Sequence, residues 1–171
     1  QNGADFGDAM SVLSNYGNKP QNFEPLMNCN ETSKYNDFSM SVASMYKIDE
    51  FLSVPKDDFV NNVKKALYYG LPVSIGVFLT ESFENGSSMN YGYWKPRYDE
   101  EITGGHAMLV VGYDNTKNGG SFEVLNSWGS EFGDNGYVWI KYSDFVKRVA
   151  EAYVIGYEKG LFRNERCSMG D

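Results

Sequence analysis

The sequence predicts an α+β fold in which helices come first and an antiparallel sheet follows. Two segments in the first half of the 171-residue chain carry apolar residues at helical spacing. From residue 104 onward, short apolar runs alternate with turn residues, which is typical of paired strands. Apolar residues make up 42% of the chain, which is enough for a sizeable core in one domain or in most of a two-lobed protein.

Two helices are predicted before the sheet. The first covers residues 5–16 and is followed by Gly17, a residue that commonly ends helices. Its apolar face consists of Phe6, Ala9, Met10 and Leu13. The second follows Pro55 over FVNNVKKALYYG, with Asp57 or Asp58 as N-cap and Gly70 as its end.

The segment between these helices, residues 18–56, is rich in Asn, Ser and Pro and is predicted to be mostly loop. Within it, SVASMYKIDEFLSV is the best candidate for a strand. Pro72 opens a further strand, PVSIGVFL, and a long loop over residues 81–103 follows.

The sheet proper is expected to contain the strands 106–113, 122–128, 136–142 and 152–158. A hairpin loop, DNTKNGGS, joins the first two of these strands. SDFVKRV is predicted to form a short helical turn, and the tail from Gly160 is polar.

Composition excludes several classes of function. The net charge is -8 and no Lys/Arg cluster occurs, so no nucleic-acid partner is expected. No run of 18 apolar residues occurs, so no membrane span is expected. No His/Cys cluster has the spacing of metal ligands, so neither a metal nor another cofactor is expected. The acidic pair Glu100 and Glu101 is interpreted as solvated surface.

His106 and Asn126 are the candidate catalytic residues. His106 is the only histidine in the chain and opens the apolar run HAMLVVGYD. Asn126 ends a second run, FEVLNSW, twenty residues later. A histidine base held by an amide is the arrangement of a Cys-His-Asn peptidase. We expect the two side chains to lie about 2.6–3.5 Å apart on adjacent strands.

These motifs resemble those of the papain-like (C1) cysteine peptidases, in particular bacterial or viral members. The match is strongest over HAMLVVGYD and over FEVLNSWGSEFGDNGYVWIKY. QNGADFGDAMSVLSNYG is similar to the family's Cys-Asn-Gly-Gly turn and following helix, with Ala4 at the second Gly. VPKDDFVNNVKKALYYGLPVSIGV is similar to the helix and strand that precede the histidine.

The resemblance implies a papain-like two-lobed fold that is incomplete here. Residues 1–50 would be the remaining part of the helical lobe, residues 51–159 the β-rich lobe with His106 and Asn126, and residues 160–171 a polar tail. The family's nucleophile motif is absent, and the family spacing places it roughly 25–45 residues upstream of Gln1. Cys29 and Cys167 lack its context and are interpreted as structural or disulfide cysteines.

The resemblance also implies substrate-binding residues. Gly3 and Ala4 would form a wall along which substrate backbone lies as an added strand. Gly105 and Ala107 would leave room for a bulky apolar side chain two residues before the cleaved bond. Trp128 would cover the hydrogen bond between His106 and Asn126 and keep water away from it.

Two functions remain open at this point. The chain is either the C-terminal part of a peptidase whose cysteine helix lies upstream or on a separate chain, or an inactive module that binds partners within a larger assembly. The partner of the peptidase would be a peptide or protein substrate. Localisation is undetermined, with secreted, lysosome-like or virion-associated settings favoured over the cytoplasm.

Overall fold

The computed structural model describes residues 4–18 and 37–156. In those ranges the helices are α1 (Phe6–Asn15), α2 (Asp37–Ser44), α3 (Phe59–Tyr68), α4 (Glu81–Glu84) and α5 (Tyr142–Arg148). The strands are β1 (Glu50–Ser53), β2 (Val73–Thr80), β3 (Met89–Asn90), β4 (Tyr93–Trp94), β5 (Ile102–Asp114), β6 (Ser121–Leu125), β7 (Tyr137–Lys141) and β8 (Val149–Gly156). None of the described helices is long and apolar enough to cross a membrane.

The chain separates into two compact units. One contains Gln1–Phe51 together with Ile155–Asp171, and the other contains Leu52–Val154. Both candidate catalytic residues, His106 and Asn126, belong to the second unit.

In the first unit, α1 begins where the sequence predicts it. The Asp5 carboxylate accepts hydrogen bonds from the backbone N–H groups of Gly7 at 2.8 Å and Asp8 at 3.2 Å, which caps the helix. Gly17 ends it with φ of 79°, and a Cβ there would lie 2.0 Å from the carbonyl oxygen of Ala43. Only glycine therefore fits this position without a backbone shift.

The apolar face predicted for α1 is largely covered: Met10 is buried, and Phe6 and Leu13 are half-buried. One expectation for this unit needs correction. The strand candidate SVASMYKIDEFLSV is wrong over its first part, because α2 extends to Ser44 and only Glu50–Ser53 forms a strand. The α2 residues Val42 and Ala43 are buried, so packing outweighs the low helix propensity of the neighbouring serines.

In the second unit, α3 begins after Asp58 as predicted. The Asp58 side chain makes no capping bond to the helix backbone and instead accepts bonds from Asn61 Nδ2 at 3.0 and 3.1 Å. Buried Phe59 and Val63 turn one face of the helix inward.

The strands form one sheet in the order β1-β8-β2-β5-β6-β7-β4-β3. The pairs within β8-β2-β5-β6-β7 are antiparallel, as predicted, whereas β4 pairs with β7 in parallel. The core of the second unit consists of fully buried aliphatic and aromatic residues, among them Val63, Val73, Ile75, Phe83, Val110, Phe122, Val124, Val138, Ile140 and Phe145.

The predicted long loop over 81–103 contains more regular structure than expected. It includes α4, the short strands β3 and β4, and the beginning of β5. These elements are two to four residues long, which is too short for a periodic sequence pattern to reveal them. The polar tail from Gly160 lies outside the described residues.

Candidate active site

His106 lies on β5, a strand of 13 residues in the middle of the sheet. It is paired with Val77 of β2, which is 1% exposed. The neighbouring β5 residues Met108 and Val110 are buried, whereas His106 is half-buried. The strand therefore anchors the histidine backbone while leaving the imidazole accessible from solvent.

Asn126 follows the last residue of β6 and is only 5% exposed. Its backbone N–H donates to the carbonyl oxygen of Gly136 at 2.9 Å, which ties it to the start of β7. The imidazole Nε2 of His106 lies 2.8 Å from Asn126 Oδ1. The expected contact between the two side chains is present, within the predicted distance range.

The hydrogen-bond pattern fixes which atoms of the two side chains face each other. The backbone N–H of Ser127 donates to Asn126 Oδ1 at 2.8 Å, so this atom of the amide is the oxygen and not the nitrogen. Since Oδ1 can only accept, the proton between the side chains lies on His106 Nε2. The other ring nitrogen, Nδ1, is then free to accept a proton from a reacting group.

The amide nitrogen of Asn126 is in an unusual position. Nδ2 is buried and has no hydrogen-bond partner within the described ranges. Burying a donor without a partner costs free energy. The burial of Asn126 is therefore explained by its oxygen, which accepts hydrogen bonds from two donors.

Trp128 covers the pair from one side. Its ring centroid lies 4.7 Å from that of His106 with an interplanar angle of 33°, and the residue is 39% exposed. Phe83 and Phe132 contact Trp128 in edge-to-face geometry, with centroid distances of 5.5 and 4.8 Å. The sequence did not single out either aromatic residue, because Phe83 lies in the predicted loop 81–103 and Phe132 was matched only as part of the longer run FEVLNSWGSEFGDNGYVWIKY.

Small residues flank the histidine. Gly105 and Ala107 are exposed, and a Cβ built on Gly105 would meet nothing within 4 Å. Ala107 pairs with Gly76 on β2, which in turn pairs with Glu151 on β8. The Glu151 side chain lies over Gly76, where an added Cβ would be 3.2 Å from Oε1, and its Oε2 accepts from the Tyr153 hydroxyl at 3.2 Å. Because these three residues lie opposite one another on adjacent strands, the Glu151 carboxylate is on the same face of the sheet as the Ala107 side chain.

The remaining predicted residues lie elsewhere. Gly3, Cys29 and Cys167 fall outside the described residues. Ala4 precedes α1 in the first unit and is exposed. Glu101 is exposed as expected, whereas Glu100 is half-buried and accepts a hydrogen bond from the backbone N–H of Ser82 at 3.3 Å. The solvated-surface interpretation is therefore wrong for Glu100 only.

Two curated proteins that are similar in sequence to this chain are named as peptidases or peptidase-like proteins. The chain is 36% identical over 97 residues to a peptidase C1-like protein of Acanthamoeba polyphaga mimivirus, covering 56% of this chain and 30% of the relative. It is 37% identical over 90 residues to a cathepsin L-like peptidase of Aedes aegypti, covering 52% of this chain and 25% of the relative. The chain therefore spans less than a third of the length of these relatives.

Solved structures have the same fold. Xylellain, a cysteine protease from Xylella fastidiosa, superposes with a TM-score of 0.80 at 26% identity, covering 92% of this chain and 63% of that chain. Digestive procathepsin L 3 of Tenebrio molitor shares the fold with a TM-score of 0.65 at 22% identity, covering 90% of this chain and 49% of that chain. These similarities confirm the predicted α+β, papain-like fold.

A family model for papain family cysteine proteases matches residues 2–168, nearly the whole chain. This match agrees with the resemblance inferred from the His106 and NSWG motifs, and with the names of the relatives. The chain belongs to the papain family of cysteine proteases.

Proposed function

We propose that this chain is the C-terminal portion of a cysteine endopeptidase in which His106 and Asn126 act with a cysteine supplied from outside the chain. The observation that supports this proposal most strongly is the 2.8 Å contact between His106 Nε2 and Asn126 Oδ1. Burying an amide whose Nδ2 has no partner among the described residues costs free energy, which supports a functional role for the oxygen that contacts His106.

His106 acts as the acid and base of the reaction. Its Nδ1 accepts the proton of the cysteine thiol, and the thiolate attacks the carbonyl carbon of the scissile peptide. The imidazolium then gives this proton to the leaving amine, and an acyl-enzyme forms. In the second half, Nδ1 takes a proton from a water molecule that attacks the thioester, and returns it to the departing cysteine sulfur.

Asn126 and Trp128 orient this base. Asn126 Oδ1 holds the Nε2 proton, so the ring cannot rotate and Nδ1 keeps its direction. Trp128 lies 4.7 Å from the imidazole and limits the access of water to the hydrogen bond, which is stronger where water is excluded. Neither residue exchanges a proton with the substrate.

The nucleophile is proposed to lie on a helix upstream of Gln1 or on a separate chain. Two cysteines occur in the sequence, and Cys29 and Cys167 stand in polar contexts unlike a nucleophile motif. We further propose that residues 1–50 belong to the helical lobe, residues 51–159 to the β-rich lobe and residues 160–171 to a tail. The substrate is a peptide or protein.

Substrate is proposed to bind along both small-residue segments. Gly3 and Ala4 accept substrate backbone as an added strand. Gly105 and Ala107 leave room for the side chain two residues before the cleaved bond, because neither fills the space beside His106.

A peptide-cleavage assay on the full-length protein that carries this chain tests the proposal. We expect hydrolysis that is blocked by a thiol-directed epoxide, and a loss on the order of 100- to 10,000-fold in His106→Ala. Asn126→Ala is expected to lose less, because the amide orients the base without transferring a proton. A full-length protein with Ser or Gly at the nucleophile position and no cleavage would favour the alternative, an inactive module that binds partners.

A further inference from the structure

The carboxylate of Glu100 is held against the beginning of α4. It accepts the backbone N–H of Ser82 at 3.3 Å and contacts Arg97 Nη1 at 3.3 Å. Hydrogen bonding from the Ser82 hydroxyl lowers the pKa of Glu100, and the Thr80 hydroxyl and the Ser82 backbone N–H act in the same direction. These contacts favour the ionised carboxylate.

The hydroxyl groups at this point are deeply buried. Thr80 is 0% and Ser82 is 2% exposed, and their oxygens lie 3.1 Å apart. One of the two hydroxyls can donate to the other, but the second donor needs a further acceptor. The Glu100 carboxylate is well placed to accept it.

The other end of α4 is attached to the strand that carries His106. The hydroxyl of Thr103 on β5 donates to Glu84 Oε1 at 2.8 Å. A helix of four residues has little stability of its own, so its position depends on its contacts. These are the two attachments, the hydrogen bond from the Ser88 backbone N–H to the Ser82 carbonyl oxygen at 2.9 Å, and the burial of its apolar residue.

That apolar residue is Phe83, which is 0% exposed. Its ring contacts Trp94 at 4.8 Å, Phe132 at 5.3 Å and Trp128 at 5.5 Å between centroids. Trp128 is 39% exposed, so part of its ring faces solvent instead of packing against protein. Phe83 therefore provides part of the support that keeps Trp128 beside His106.

We propose that Glu100 is a positioning residue for His106: its carboxylate fixes α4, and α4 places Phe83 against the Trp128 ring that covers the His106–Asn126 pair. Its importance for catalysis rests on the proposed function. The effect of Glu100 on the position of Trp128 beside the imidazole does not depend on that function, because it can be observed without any turnover.

The test compares Glu100→Gln with Glu101→Gln in the full-length protein. Glu101 is exposed and makes no hydrogen bond or ion pair within the described part of the chain, so its variant removes the same charge one residue away. The first readout is the ¹⁵N shifts of the His106 imidazole, assigned by difference from His106→Gln. The second is kcat and KM for a peptide substrate. Glu100→Asp keeps the charge and serves as the conservative variant.

We expect Glu100→Gln to move the imidazole shifts and to lower kcat by about 2- to 30-fold, the effect of a residue that acts through a packed network. KM should change less than kcat. Glu101→Gln should match the wild type in both readouts, and Glu100→Asp should recover part of the loss.

Imidazole shifts that stay the same in Glu100→Gln, or that move equally in Glu101→Gln, would overturn the proposal. If Glu100→Gln does not fold, Thr103→Val, which removes the other attachment of α4, replaces it with the same expected result. Shifted imidazole signals in a protein without peptidase activity would support the positioning role and reject the proposed function.

Discussion

Truncation of Asn126 to alanine provides a quantitative test of the site. The change removes the acceptor for two hydrogen bonds of 2.8 Å, one from His106 and one from the backbone of Ser127. It also removes Nδ2, a buried donor without a partner in the described residues. Because Asn126 is only 5% exposed, water does not freely take the place of the lost amide oxygen.

The magnitude follows from counting these groups. Each buried polar group left without a partner costs about 1–3 kcal/mol. Two donors in part-buried hydrogen bonds lose their acceptor and one buried unpartnered donor disappears, so the net loss in the free energy of unfolding is about 1–3 kcal/mol. Asn126→Asp keeps an oxygen that can accept from both donors, so it should lose less stability than Asn126→Ala.

Urea unfolding of the full-length protein measures this prediction, with the change read from the midpoint at constant slope. Asn115→Ala is the matched control, because Asn115 is exposed and accepts one bond from the Tyr142 hydroxyl at 3.0 Å. Its expected cost is within about 0.5 kcal/mol. An Asn126→Ala variant as stable as the Asn115→Ala variant would refute the assignment of Asn126 as a buried double acceptor.

Three further predictions concern the surroundings of the site. Trp128→Ala should lower kcat of the full-length protein for a peptide substrate more than it changes KM, because it exposes the bond between His106 and Asn126 to water; steady-state kinetics measures this, and an unchanged kcat would contradict the shielding role. Glu151→Gln should reduce the cleavage of peptides with Lys or Arg two residues before the cut by about 5-fold relative to those with Leu, as expected for a partly exposed ion pair of about 1 kcal/mol; an equal effect on both peptides would contradict it. Burial and the hydrogen bond to Asp144 raise the pKa of Tyr98 from 10.0 to about 12. Since this folded-state pKa is raised, the bond stabilises the fold below pH 10 and is lost as the pH rises through about 12. The stability difference between wild type and Tyr98→Phe should therefore shrink over that range in alkaline unfolding experiments.

The sequence contained enough to predict the centre of the site. His106 and Asn126 each stand at the end of an apolar run, and two runs joined by a hairpin loop must pair. Their pairing as β5 and β6 brings the two side chains together. Trp128 was predicted only through the resemblance of Asn-Ser-Trp-Gly to the papain-like motif.

Contacts between distant residues could not be predicted in the same way. Glu100 meets Ser82 across 18 positions, and no periodic pattern links the two residues. Phe83 becomes important only because α4 directs it toward Trp128, and a helix of four residues leaves no signal in the sequence. The helix α2 was missed for a related reason, since buried Val42 and Ala43 define its inner face only once the fold exists.

We propose that His106 activates a cysteine outside this chain, and the residue that reacts with an epoxide inhibitor tests this most directly. The full-length protein and its His106→Ala variant are treated with the thiol-directed epoxide, and the modified residue is located by peptide mass spectrometry. We expect rapid modification of one cysteine upstream of Gln1 in the wild type and its loss in His106→Ala. Modification of Cys29 or Cys167 instead, or equal labelling in both proteins, would contradict it.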